Sequence, residues 1–231
     1  MLKIVTFILC FISFADYSNA SELSTELASA KADYTAKNYD TAFGKFKNLA
    51  ELNNSEAQFY LGEMYNEGNG IKKNKDIAKS WYRKSAIAGF VKSQTALAIL
   101  SYNSGEYEET MRWFRRASEN EDPAAIGWLG SFYMTGEFQK YGLKQDFDLA
   151  LTIMEKAVQK GDADSFAPYV FLNVLLNLDE TDFNFSENIE RLDFAIKQNS
   201  WLSEDAKQLL KFLNTKIASK DGDPVQQLNL A

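Results

Sequence analysis

Three tyrosines in this chain are each followed by glycine three residues later: Tyr65-Asn-Glu-Gly68, Tyr102-Asn-Ser-Gly105 and Tyr133-Met-Thr-Gly136. With 11 Tyr and 12 Gly in 231 residues, chance gives roughly 0.6 such pairs. The spacings of 37 and 31 residues fall in the range of helical-hairpin repeats. The context repeats too. Leu61-Gly62 and Leu129-Gly130 stand ahead of two of the tyrosines. After each glycine comes a second segment with bulky and small residues at helical spacing: Ala78, Trp81-Tyr82, Ala86; then Trp113-Phe114, Ala117; then Ala150, Ile153-Met154, Ala157. Gly89 and Gly161 close two of these segments and suit left-handed C-terminal caps.

A glycine in mid-helix costs about 1 kcal/mol against alanine. Gly62 and Gly130 therefore predict close approach by the partner helix, where Ala78, Ala86, Ala150 and Ala157 also sit. Tyr and Trp fill the space between successive hairpins. A lone hairpin cannot bury both its faces, so the units stack. The flanks read as weaker units of the same kind. Tyr34, Asn38-Tyr39, Ala42, Phe46 and Ala50 form the start of the array. Ser165–Leu178 and Ser186–Gln198 form a further hairpin, and Ser203–Ser219 a terminal helix with Leu209, Leu210, Leu213 and Ile217 on one stripe. Asp122-Pro123 marks a helix start, acid at the N-cap and proline at N1. No region is rich in strand signals, and the chain reads as all-α.

At these residues the sequence resembles the Sel1-like repeat family, relatives of the tetratricopeptide repeats. Residues 56–89 carry the pattern most fully: Ala57, Leu61-Gly62, Met64-Tyr65, Gly68-Asn-Gly70, Ala78, Trp81-Tyr82, Ala86, Gly89. The unit Ser93–Ala117 is shorter between its helices and has Ala98-Ile99 where Leu-Gly is expected. In Ala124–Gly161 the linker is longer, and Ile153-Met154 replaces the aromatic pair. The resemblance implies a right-handed α-solenoid of about five stacked hairpins with a C-terminal capping helix.

Met1–Ala20 reads as a secretory leader: Lys3 gives the positive start, Ile4–Ala15 the apolar run, and Ser18 and Ala20 the small residues of the cleavage site. The repeat domain then spans residues 21–219, and 220–231 is a loose tail. The only cysteine, Cys10, lies in the leader, preceded by Leu9 where a lipid-attachment signal needs a small residue. After cleavage the chain is exported without a disulfide, free in the periplasm or medium with no stable membrane anchor, and held by packing alone.

Histidine is absent from the sequence. This removes Ser-His-Asp and Cys-His nucleophile activation and histidine-based zinc sites. Glu106, Glu108, Glu109 and the run Glu119–Asp122 supply carboxylates, but on short linkers and helix starts, where acids complement the helix dipole. Asp162-Ala-Asp164 and Asp221-Gly-Asp223 lack the remaining ligands of a calcium loop. Gly68-Asn-Gly70 reads as a linker rather than an anion cradle. No catalytic residue, metal site or cofactor is assigned. The net charge of −7 disfavours nucleic acid as a partner, since cationic side chains supply most of that affinity.

The charge is segregated. Six basic residues and one acid lie between Lys72 and Lys84, and Arg112, Arg115 and Arg116 continue the run. From Gly161 to Glu190 there are seven acids and no base. Such a distribution suits a solvated surface or one that steers a charged protein partner. The family resemblance implies an adaptor or scaffold that binds another protein on its concave face. An alternative is an immunity protein that neutralises a toxic effector in the same compartment. Cysteine-rich secreted relatives have been linked to β-lactam binding, but they depend on disulfides this chain lacks. Aligned to the repeat, the concave positions are Phe59, Glu63 and Asn66, then Leu100 and Asn103, then Ser131 and Met134. Trp128 has less reason for burial than Trp81 or Trp113 and is added as a partner-facing residue.

Overall fold

Asn54, Asn74, Asp122 and Asp146 each adopt extended backbone, and each side chain accepts a hydrogen bond from an N–H of the helical turn that follows. These short polar caps satisfy donors that helix geometry leaves free. Pro123, locked near helical φ and lacking an N–H, takes the first position after Asp122 as expected. A computed structural model describes residues 21–176, with isolated positions at 190, 193, 194, 197, 208 and 211. The expected leader, the expected helices over 186–198 and 203–219 apart from those isolated positions, and the tail at 220–231 lie outside the described residues.

The described helices are α1 (residues 21–35), α2 (Tyr39–Glu51), α3 (Ser55–Glu67), α4 (Lys75–Ile87), α5 (Val91–Asn103), α6 (Tyr107–Glu119), α7 (Pro123–Thr135), α8 (Phe147–Gln159) and α9 (Phe166–Leu176). No strand occurs among the described residues. The fold is an α-solenoid of consecutive helical hairpins, and it divides within α6 into two compact units, Met1–Trp113 and Phe114–Ala231.

One turn recurs between hairpins. The N–H groups of Asn54, Phe90, Asp122 and Asp162 donate to the carbonyls of Leu49, Ser85, Ala117 and Ala157, five residues back. The residue before each donor is left-handed: Asn53 (φ 62°), Gly89 (φ 94°), Glu121 (φ 61°) and Gly161 (φ 95°). This is a Schellman closure. The sequence shows it only where glycine fills it.

The turns fix the register of the repeats. They place Phe46, Tyr82, Phe114 and Met154 at one position of the second helix, and all four are buried. They also place Leu97-Ala98, not Ala98-Ile99, opposite Leu61-Gly62. The tyrosine–glycine spacing misses this by one residue, because α3 caps directly on Gly68 whereas α5 caps on Ser104 and its left-handed Gly105 follows.

In the first unit Ala30, Ala42, Phe46, Leu49, Ala57, Leu61 and Met64 form a continuous core, flanked by Tyr34, Tyr39, Phe43, Tyr60 and Tyr65. The Phe46 and Tyr60 rings stack at 4.8 Å. In the second unit a run of rings passes from Phe114 to Trp128 (5.4 Å), Phe132 (5.8 Å) and Phe138 (4.1 Å). Phe138 and Leu143 are buried, so the longer linker between α7 and α8 is part of the core.

Candidate protein-binding face

Gly62 is where the first unit's candidate face begins. A Cβ added there would lie 2.6 Å from Tyr82 Cδ1 and 2.7 Å from Cε1, distances no methyl group can occupy. The expected close approach is real, but it is made by a flat aromatic ring rather than by the partner helix backbone. The counterpart is Gly130, whose added Cβ would lie 2.8 Å from Met154 Cγ and 3.3 Å from Ile153 Cγ2. Thus Ile153-Met154 does the work of the Trp81-Tyr82 pair on a smaller scale.

Seated on Gly62, Tyr82 is buried and its hydroxyl donates to the carboxylate of Glu63. Burial raises the pKa of Glu63, partly offset by that hydrogen bond, and the Glu67 charge raises it further. The Tyr82 hydroxyl is pushed well above the ordinary phenol range, first by burial and then by Glu63. Phe59, one turn before Glu63, is half-buried against Tyr60 (5.4 Å), Tyr82 (6.0 Å) and Phe90 (5.3 Å). Asn66 donates to Glu67 Oε1 at 2.7 Å. Asn69 donates to the Tyr34 hydroxyl at 3.4 Å. The stripe Phe59, Glu63, Asn66 therefore presents an apolar ring, a half-buried carboxylate and an amide along one side of α3.

On α5, Asn103 is exposed. Leu100 is 6% exposed and fills the place that Met64 takes in α3. By structural register the residues corresponding to Glu63 and Asn66 are Ile99 and Tyr102. On α7, Trp128 is half-buried and stacked on Phe114 at an interplanar angle of 21°. Ser131 is half-buried, and its carbonyl accepts from the Thr135 hydroxyl. Met134 is half-buried against the cluster of Ala150, Met154 and Leu172. Phe59, Glu63 and Asn66 thus share one surface of the first unit, whereas Trp128, Ser131 and Met134 belong to the second.

Part of the basic run is paired internally. Lys79 Nζ contacts Glu106 and lies 3.2 Å from Glu109 Oε2, while Arg83 donates to both oxygens of Glu109 at 2.7 and 2.9 Å. Trp113 Nε1 and the Ser101 hydroxyl add donors to Glu109, each at 3.3 Å. Burial pushes the Glu109 carboxyl upward, but these donors outweigh it and hold the pKa at about 2. Lys84 lies over the Trp81 ring at 4.1 Å from its centroid. The acidic half of the segregated charge falls largely outside the described residues.

Sequence reasoning missed this bridge between α4 and α6. Its signal is present, since Lys79 and Arg83 lie one turn apart, as do Glu106 and Glu109. It also missed Gln58 and Gln94, whose side-chain amides donate to the carbonyls of Ala50 (3.2 Å) and Ala86 (3.3 Å) at the end of each preceding hairpin. Only the tertiary register shows that these glutamines are equivalent.

Comparison with known proteins agrees with this register. The Sel1 repeat model matches residues 55–90, 91–122 and 123–162. A crystal structure of a Sel1 repeat protein from Oxalobacter formigenes superposes with a TM-score of 0.62 at 26% identity, covering 75% of this chain and 68% of that one. A protective antigen of uropathogenic Escherichia coli strains, displaying an SLR fold, gives 0.60 at 25% identity over 82% of this chain and 39% of that one. Chitin synthase regulatory factor 4 of Schizosaccharomyces pombe is 24% identical over 151 residues, 64% of this chain and 24% of that protein. The chain spans about a quarter of the length of the curated relatives it matches. Three consecutive repeats in the matching helical register make residues 55–162 an array of Sel1 repeats.

Proposed function

We propose that this protein is an exported, non-catalytic adaptor that binds another protein through the face of α3 carrying Phe59, Glu63 and Asn66. Asn103, with Leu100 behind it, and Trp128, Ser131 and Met134 are further contact positions on α5 and α7. The observation that carries the reading is the Glu63 carboxylate, half-buried beside Phe59 and held by Tyr82. A half-buried carboxylate next to a half-buried ring suits a basic or amide-bearing segment of a partner, with the ring as anchor and the charge giving specificity. Sel1-type repeats characteristically serve protein–protein interaction. Among the described residues no helix is long and apolar enough to cross a membrane.

The full chain is used as bait at two salt concentrations, followed by mass spectrometry. A stoichiometric protein partner is expected, bound at least 10-fold more weakly when Phe59→Ala and Glu63→Lys are combined. Unchanged affinity in the folded double variant overturns the α3 face. If the partner is a toxic effector, the chain acts as its immunity protein; if it is an envelope component, the chain acts as a scaffold. The mass of the exported form tests cleavage after Ala20.

A further inference from the structure

The first unit carries a second site that the hairpin pattern does not require. The C-terminal ends of α2 and α4 and the first turn of α3 enclose an open cavity of about 510 Å³, lined by Glu51, Asn53, Gln58, Trp81, Lys84 and Ile87 among others. Gln58 is 4% exposed. Its Nε2 is committed to the Ala50 carbonyl, which fixes the amide orientation. Its Oε1 is buried and meets no donor. A buried carbonyl oxygen without a donor is unfavourable, and such groups are rare in folded proteins.

Three further observations state what the cavity accepts. Glu51 closes α2, a helix with no basic residue in its last turn, so an exposed carboxylate stands at the negative end of the helix dipole with no ion pair of its own. The Trp81 ring already takes a cation, Lys84 Nζ, over its face. Ile87 is 65% exposed and supplies an aliphatic wall. Lys84 is the only cation among these lining residues, and it also serves the C-terminus of its own helix, α4. An unpaired acceptor, an uncompensated carboxylate, an aromatic face and an aliphatic wall together match a planar, multi-donor cation on a methylene stem.

We propose that this cavity takes an arginine side chain of a partner protein. The guanidinium pairs with Glu51 in the field of the buried, donor-less Gln58 oxygen and lies against Trp81 in place of the Lys84 ammonium, while its methylenes cover Ile87. A lysine offers no planar face, and an acidic side chain is opposed by Glu51. The site uses none of the residues of the α3 face, so it goes beyond that reading and stands or falls separately from it.

The test is an NMR titration of the full 231-residue chain with the peptide acetyl-Ala-Arg-Ala-amide, following the Gln58 side-chain amide and the Ile87 methyl. The controls are the same peptide with citrulline, lysine or glutamate in place of arginine. Saturable shifts at both reporters are expected with arginine, and affinity about 5-fold weaker with neutral citrulline. Glu51→Gln weakens arginine binding by about 3- to 10-fold, and Lys84→Met, which removes the competing cation, strengthens it by about 2-fold. Both substitutions are on the surface, and the same spectra report that the fold is retained. Equal affinity for the arginine and citrulline peptides, tighter binding of the glutamate peptide, or the absence of saturable shifts at Gln58 overturns the proposal.

Discussion

Glu109 and Glu63 sit in the same unit and are driven in opposite directions. Glu109 is held at about 2 by Arg83, Lys79 and Trp113 against the cost of burial. Its folded pKa lies below the unfolded value, so its contribution is complete above about pH 4.5 and is lost as the pH falls toward 2. Glu63 is raised by burial. Its ionised form is disfavoured in the fold, and acidification through its raised pKa toward about 4.5 therefore adds stability. Denaturant titrations across pH separate the two. Glu109→Gln is expected to cost about 2 kcal/mol at pH 7 and to flatten the loss between pH 4.5 and 2. Glu63→Gln is expected to stabilise at pH 7 and to abolish the gain on mild acidification. An unaltered acid limb in Glu109→Gln contradicts the bridge from α4.

At the scale of the element, Gly62 and Gly130 are sockets for Tyr82 and Met154. Alanine improves helix propensity by about 1 kcal/mol at either site, but it drives a methyl group into the opposing side chain. A rigid ring cannot yield where a thioether chain can. Gly62→Ala is therefore expected to destabilise by about 1–3 kcal/mol and Gly130→Ala by less. Equal losses, or a gain at Gly62, would count against the ring-on-glycine contact. The inter-hairpin turns give a second case, since Asn53 and Glu121 occupy the left-handed position that Gly89 and Gly161 fill elsewhere. Lys37, between α1 and α2, is also left-handed, with φ 63°. Lys37→Gly relieves that strain and is expected to raise thermal stability by about 0.5–1 kcal/mol.

At the scale of the whole molecule, the extensive helix pairings run between neighbours in the chain: α2 with α3, α3 with α4, α4 with α5, α7 with α8 and α8 with α9. Stability in such an array is close to a sum of local units and nearest-neighbour interfaces. Hydrogen exchange is expected to show Gly62→Ala lowering protection in α3 and α4 while α7, α8 and α9 keep theirs. A uniform loss across all helices would instead show a single cooperative block.

The sequence alone determined the helical class, the hairpin period, the start at Asp122-Pro123 and the left-handed caps at Gly89 and Gly161. These are local: a proline, a short acid or a glycine states its backbone preference wherever it stands. It also announced that something closes on Gly62 and Gly130, because a glycine in mid-helix needs a compensating contact. Tertiary structure decided what closes. A ring or a thioether reaches these glycines from a helix about 20 residues away, a distance no local preference encodes. It also decided the register of the middle repeat, where one extra residue after α5 moves Gly105 out of step and sends Leu100 inward to Met64's place. The Glu109 bridge, the two glutamine caps and the partnerless oxygen of Gln58 belong with these. Each depends on which atoms meet across helices, and packing settles that after the local rules have been satisfied.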